Sequence, residues 1–138
     1  MTVASQTTLV LAILIGLMAV AVGVGGFSEP RRWTEMLDEL DRSPGLVLAM
    51  AVVAYGFGAV VVAVHNLWTD PLAVIVTLFG WGSLVEGTLL LAAPGFYLRL
   101  VRRVVASARL WAGFALLFGL FLVAAGLAAR VEPALVIV

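Results

Sequence analysis

Residues 71–93 read PLAVIVTLFGWGSLVEGTLLLAA and contain one charged side chain, Glu86. A helix of this length, rising about 1.5 Å per residue, can cross a hydrocarbon core of about 30 Å. The segments 7–27, 45–64 and 108–129 are equally apolar. Apolar residues surround all four helices and leave no polar stripe to face water, which argues against a soluble bundle. The sequence therefore predicts an all-α membrane protein, a single domain (1–138) with four transmembrane helices in a bundle.

The composition fits this class and excludes others. Of the 138 residues, 64% are hydrophobic and 12% are charged, whereas soluble domains carry about 25% charged residues. Eight basic and eight acidic residues give a net charge of zero, so the clustered basic surface of a nucleic-acid-binding protein is not expected. The chain has no cysteine, which excludes disulfides and thiolate metal sites. Because no basic residue precedes Arg31, the first segment is predicted to be a retained span and not a signal peptide.

Two amphipathic segments, 30–42 and 95–105, connect the spans. In the first, Ser28 is a candidate helix cap and Pro30 suits a first helical turn. Each segment has apolar residues at helical spacing and charges on the other face, typical of a helix that lies in the membrane interface. The predicted apolar faces are Trp33, Met36, Leu37 and Leu40 in the first segment, and Tyr97, Leu100, Val101 and Val104 in the second.

The two halves of the chain resemble each other. A shift of sixty-four positions places Pro30 on Pro94 and the first amphipathic face on the second. The same shift places Gly16 and Gly23 on Gly80 and Gly87. The sequence therefore predicts two copies of one unit, composed of a span, an interfacial helix and a second span.

Arginine distribution predicts the orientation. An even number of crossings separates the two interfacial helices, so both lie on one side of the membrane. That side would hold seven of the eight arginines, and Arg130 alone would lie on the other. Such a bias places the arginine-rich side in the cytoplasm. We therefore expect a multi-pass protein of the bacterial inner membrane, with both termini and the turn at 65–70 outside.

The turn His65-Asn66-Leu67-Trp68-Thr69-Asp70 contains candidate site residues. In a structural interpretation Asn66 ends one helix, Asp70 caps the next, Trp68 lies at headgroup level, and His65 donates to a loop carbonyl or to Asp70. The alternative is a metal or proton site at His65 and Asp70. One histidine and one aspartate are too few ligands for zinc within one chain. We therefore predict no metal site.

Glu86 lies inside the third span, about 10 Å from its cytoplasmic end. An acidic residue at such a depth is costly and indicates function by default. We expect Glu86 to face the bundle interior, either protonated or paired with Arg109 near the start of the fourth span. An ion or proton role and a partner contact remain as alternatives.

The residues favour a non-catalytic function. The chain has no lysine, its one histidine lies at the edge of a span, and there is no phosphate-binding loop. We therefore predict no enzyme activity and no cofactor. A small accessory or self-associating subunit of a membrane assembly is favoured, in contact with the lipid bilayer and with a homo-oligomer or larger complex. The alternative is an oligomeric channel or small transporter with Glu86 lining the pathway.

Residues 30–94 also contain a set of short motifs. They are Ser43-Pro44, His65-Asn66-Leu67-Trp68, Thr77-Leu78-Phe79-Gly80-Trp81 and Glu86-Gly87. In this order they resemble an uncharacterised family of small bacterial multi-span membrane proteins with an H-N-x-W and T-x-x-G-W motif set. The resemblance covers about half of the chain and implies a membrane protein without an assigned activity. Members of that family carry lysine where this chain has Glu86, so the resemblance implies no fixed role for this charge.

Overall fold

The computed structural model describes residues 3–135, with side chains described for residues 6–130. These residues form six helices and no strand, which confirms the all-α prediction. The helices are α1 (Val3–Ser28), α2 (Pro30–Arg42), α3 (Pro44–Val64), α4 (Pro71–Ala92), α5 (Pro94–Val105) and α6 (Ala108–Leu135). Four of them, α1, α3, α4 and α6, are long and apolar enough to cross a membrane. The predicted spans agree with these helices to within a few residues.

Proline and capping residues set most of the helix starts. The helices α2, α3, α4 and α5 each begin with proline in the first turn, where the missing N–H would have no helical partner. Ser43 Oγ accepts from the Leu46 N–H at 3.3 Å and caps α3. The predicted cap at Ser28 is wrong. Ser28 is the last residue of α1 and its hydroxyl donates to the Val24 carbonyl, so Glu29 stands at the start of α2 without a side-chain cap.

The four long helices pack as two antiparallel pairs, α1 with α6 and α3 with α4. Glycine allows the backbones to touch. A Cβ atom placed on Gly58 of α3 would lie 2.3 Å from the Leu84 backbone nitrogen of α4. A Cβ atom on Gly119 of α6 would lie 2.6 Å from the Gly16 carbonyl oxygen of α1. These distances are shorter than any real contact, so only glycine permits the observed packing at both crossings.

The two helix pairs repeat the same contacts. Residues of α1 and their counterparts in α4 lie sixty-four positions apart, as predicted from the sequence, while those of α3 and α6 lie sixty-one apart. The α1–α6 contacts are Gly16 with Leu122 and Val123, and Gly23 with Leu116. The matching α3–α4 contacts are Gly80 with Val61 and Val62, and Gly87 with Tyr55. Each pair therefore combines one helix from each copy of the repeat, and α6 is shifted by about one turn relative to α3.

The short helices α2 and α5 pack against each other at one end of the bundle. Leu37 and Leu40 of α2 are buried as predicted, in a cluster with Leu98 of α5. The predicted face of α5 is partly wrong, because Leu98 is buried at 5% exposure while Leu100 is 46% exposed. Most non-arginine positions of α5 are apolar, so spacing alone could not select the buried ones.

An ion pair joins the two short helices. The Arg102 guanidinium donates to Asp38 Oδ1 at 2.9 Å and also contacts Asp41. These hydrogen bonds, first to Asp41 and then to Asp38, raise the pKa of Arg102. Asp38 and Arg102 are sixty-four positions apart, so the bond connects equivalent positions of the two copies.

Gly58 and Gly56 offer a matched test of the helix crossing. Gly58→Ala forces a methyl group against the α4 backbone, and we expect it to lower the free energy of unfolding by about 1–3 kcal/mol. Gly56 lies two residues before Gly58 on the same helix, and a Cβ atom added there would have no atom within 4 Å. Gly56→Ala should therefore be neutral or slightly stabilising.

The measurement is loss of helical circular dichroism during titration of mixed micelles with a denaturing detergent. Equal unfolding midpoints for the two variants would contradict the close contact at Gly58.

Candidate functional site

Two polar clusters occupy opposite parts of α4 in the described chain. Thr77 belongs to the first and Glu86 to the second, nine residues further along the helix. At about 1.5 Å per residue the two positions are about 13 Å apart along the helix axis. Between them, Gly80 packs against Val61 and Leu84 lies against Gly58. This close apolar contact separates the two clusters within the α3–α4 pair.

The first cluster is centred on His65, which is 1% exposed and ends α3 in an extended conformation. Its Nε2 lies 2.8 Å from Thr8 Oγ1 of α1, and its Nδ1 lies 3.2 Å from Thr77 Oγ1 of α4. The Thr77 hydroxyl donates to the Leu67 carbonyl oxygen at 2.9 Å and accepts from the Leu67 N–H at 3.2 Å. A hydroxyl has one proton, so His65 Nδ1 is the donor toward Thr77. The cluster thus connects α1, α3 and α4.

The structural interpretation of the turn is confirmed for Asp70. Its Oδ1 accepts from the Ala73 N–H at 2.9 Å and caps α4. The expected partner of His65 is wrong, because His65 bonds to the two threonines and not to Asp70 or to a loop carbonyl. Asn66 does not end α3, which ends at Val64 with His65 as its cap. Its Oδ1 instead accepts from the Nε1–H of Trp68, whose side chain is 56% exposed.

Thr8 and Thr77 were not predicted as site residues. Both are hydroxyl residues in apolar spans, where a polar group that lacks water must find a partner within the protein. That rule singles them out as candidates for a hydrogen bond, although it does not identify His65 as the acceptor or donor. No group of three side chains able to bind a metal ion occurs among residues 6–130.

The second cluster pairs Glu86 with Tyr97 of α5. The Tyr97 hydroxyl donates to Glu86 Oε1 at 2.6 Å, and both side chains are half-buried. Burial raises the pKa of Tyr97 strongly, and the hydrogen bond to Glu86 and its charge raise it further. The phenol therefore keeps its proton near neutral pH and remains a donor to the carboxyl group.

The expected pairing of Glu86 with Arg109 does not form. Arg109 is exposed and lines a surface recess with the start of α2, including Glu29 and Glu35. Among the described side chains no ion pair joins it to Glu86. Arg109 lines the recess beside α2, whereas Trp111, two residues later on α6, lines a groove together with Glu86, so the two residues lie on different sides of α6.

Glu86 lies at the seam between the two helix pairs, where a groove opens on each side of α1. The larger groove has a volume of about 650 Å³ and lies between α1, α4 and α6. The smaller has a volume of about 470 Å³ and lies between α1, α3 and α4. Four side chains line both grooves: Met18, Phe79, Ser83 and Glu86.

The grooves are related by the same repeat as the helices, but their chemistry differs. In the larger groove α6 contributes Trp111, Phe114, Ala115 and Phe118. At the equivalent positions in the smaller groove α3 contributes Met50, Val53, Ala54 and Phe57. The shift of sixty-four positions places Glu86 on Val22 and Tyr97 on Trp33. His65 and Thr77 match Gly126 and Ile13, which also contact each other. Neither polar cluster therefore has a counterpart at the equivalent positions of the repeat.

Comparison with family models, with curated proteins and with solved structures gave no match. The resemblance to small multi-span bacterial membrane proteins therefore stays a prediction.

Thr77 and Thr88 provide a matched test of the His65 cluster. Thr77→Val removes the hydroxyl that pairs with His65 and with both backbone groups of Leu67, and we expect a loss of about 1–3 kcal/mol in the free energy of unfolding. Thr88 is exposed and its hydroxyl donates to the Leu84 carbonyl of its own helix. Thr88→Val should change stability by less than about 0.5 kcal/mol. Detergent unfolding followed by circular dichroism measures both. Similar small losses for the two variants would contradict a structural role for the buried cluster.

Proposed function

We propose that the chain is a non-catalytic subunit of a membrane assembly that acts through contacts in the plane of the membrane, with itself or with a larger complex. The observation that carries this proposal is the distribution of contacts in the bundle. Glycine crossings close the interior of each helix pair, whereas the grooves and the remaining apolar faces open sideways. A bundle of this kind offers its surface, and not an internal conduit, for function.

The location follows the arginine bias. We place the protein in the bacterial inner membrane, with α2 and α5 in the cytoplasmic interface and both termini outside. The contact of Thr8 with His65 supports a common end for the start of α1 and the 65–70 turn. The pairing of α2 with α5 supports a common opposite end for the two short helices.

Self-association is tested by native mass spectrometry from lipid nanodiscs. We expect a species heavier than one chain, either a homo-oligomer or a chain with a second protein. On α3, Gly56 lies among the exposed residues Val52, Val53 and Val60, and a small residue on an apolar face permits close approach of another helix. Gly56→Leu should reduce the heavier species, while Leu117→Val, at a residue of α6 that is 71% exposed, should not. A single chain under all lipid conditions would contradict the proposal.

A channel or small transporter is the second candidate, since Glu86 lines both grooves at the seam. In that case the carboxyl group would take up a proton or cation during passage. The positions of the two polar clusters argue against a conduit within one chain, because the apolar contact of Gly80 with Val61 lies between the clusters.

Reconstitution into liposomes with pH- and cation-sensitive dyes distinguishes the two candidates. We expect no protein-dependent flux from the wild type or from Glu86→Gln. The glutamine variant keeps the shape of the side chain and can still accept from Tyr97, so folding should be retained. A wild-type flux that the substitution abolishes, with helicity unchanged, would overturn the proposal in favour of a conduit.

A further inference from the structure

The larger groove combines one acidic group with several aromatic rings. We call it the aromatic groove and define it by Glu86 and Ser83 of α4, Met18 of α1, and Trp111, Phe114 and Phe118 of α6. We propose that the aromatic groove binds a lipophilic organic ammonium ion, with Glu86 as its counter-ion. This ligand site is separate from any surface used for self-association.

The charge of the ligand follows from the surroundings of Glu86. Tyr97 donates a hydrogen bond to Oε1 but supplies no positive charge. Among the described side chains no arginine forms an ion pair with Glu86, because Arg109 lies elsewhere and Arg102 is engaged by Asp38 and Asp41. A carboxyl group in an apolar span is costly unless something compensates its charge. A cation in the groove supplies that compensation.

The aromatic rings favour an organic cation. Trp111 and Phe114 have ring centroids 5.7 Å apart in an edge-to-face arrangement, and Phe114 stacks on Phe118 at 5.8 Å. The face of such a ring attracts a cation, and tryptophan does so most strongly. An organic cation can pack its apolar groups against these rings, which an inorganic ion cannot do. The smaller groove has Met50, Val53 and Phe57 at the corresponding positions, so it offers fewer rings to a cation.

The size and shape of the groove indicate the size and shape of the uncharged part of the ligand. Its volume of about 650 Å³ lies within the range of about 300–1,000 Å³ that holds drug-sized molecules. Gly82 lines the groove without a side chain, and a Cβ atom added there would have no atom within 4 Å, so the space in front of it is open. From Glu86 to Ile75 the lining of α4 extends for about 16 Å along the helix. The ligand therefore carries its charge at one end of an elongated apolar body.

The repeat provides matched variants for the test. Phe118 of the aromatic groove corresponds to Phe57 of the smaller groove, and Glu39 is an exposed acidic residue on α2 outside both grooves. The probe is radiolabelled benzyldimethyldodecylammonium, added to the full chain in phosphatidylglycerol nanodiscs, because this lipid has no amine or ammonium headgroup. Its uncharged analogue, with carbon in place of nitrogen, is the ligand control.

We expect saturable binding of the ammonium probe at one site per chain. Glu86→Gln should weaken the affinity at least tenfold and Phe118→Leu several-fold, while Phe57→Leu and Glu39→Gln should leave it unchanged. The neutral analogue should bind at least tenfold more weakly than the probe. Helicity of each variant is checked by circular dichroism. The neutral analogue is compared with the probe on the wild-type chain, so this comparison does not depend on the folding of any variant.

Three results would overturn the proposal. They are equal binding of the neutral analogue, wild-type affinity in folded Glu86→Gln, and loss of binding in Phe57→Leu but not in Phe118→Leu. Binding of the probe is also measured in nanodiscs that contain phosphatidylethanolamine. Displacement of the probe by this lipid would assign the site to an amine headgroup of the bilayer and overturn its assignment to a free ammonium ion. The mass of the assembly is measured independently, so failure of ligand binding does not bear on self-association.

Discussion

The contact of glycine with helix backbone determines the architecture of this bundle. In a bilayer the lipid tails are as apolar as the side chains, so helices associate chiefly through close packing and interhelical hydrogen bonds. At Gly58 and Gly119 the backbones of two helices touch directly, and no side chain larger than hydrogen fits. These crossings fix which helices pair, α1 with α6 and α3 with α4, and the pairing in turn fixes where every polar side chain can lie.

The two pairs meet in an apolar cluster to which all four long helices contribute, with Ile15, Val76 and Leu122 among its buried residues, and they are also joined at both ends. At one end His65 bonds to Thr8 and Thr77, so that a single imidazole connects α1 of one pair to α3 and α4 of the other. At the opposite end α2 and α5 meet through Leu40 and Leu98 and through the ion pair of Arg102. The two grooves open along the seam beside the apolar cluster. The position of Glu86 beside those grooves is thus a result of how the pairs are connected.

The sequence predicted those features that depend on one helix at a time. Hydropathy located the four spans, and proline located the starts of α2, α4 and α5. Spacing placed Leu37 and Leu40, which are buried, on the apolar face of α2, but it also placed there Met36, which is 37% exposed. The same reasoning failed for α5, where apolar residues occupy both faces and Leu98 is buried in place of Leu100.

The hydrogen-bond partners of the polar groups in the spans could not be predicted in this way. The partners of His65 and Glu86 depend on the rotation of neighbouring helices and on the pairing of α1 with α6, which no periodicity in a single span contains. The shift of sixty-four positions did identify the repeated unit, but it did not reveal that each pair takes one helix from each copy.

The ion pair between Asp38 and Arg102 has a consequence for the origin of the fold. A twofold relation brings equivalent positions together, and these two residues are equivalent. In a homodimer of two identical half-length chains, the same joint would place aspartate against aspartate or arginine against arginine, and like charges repel. The bond can therefore exist only after the two halves have diverged. Within one chain the two halves carry different residues, and a seam that exact symmetry would supply with two acids or none holds one, Glu86.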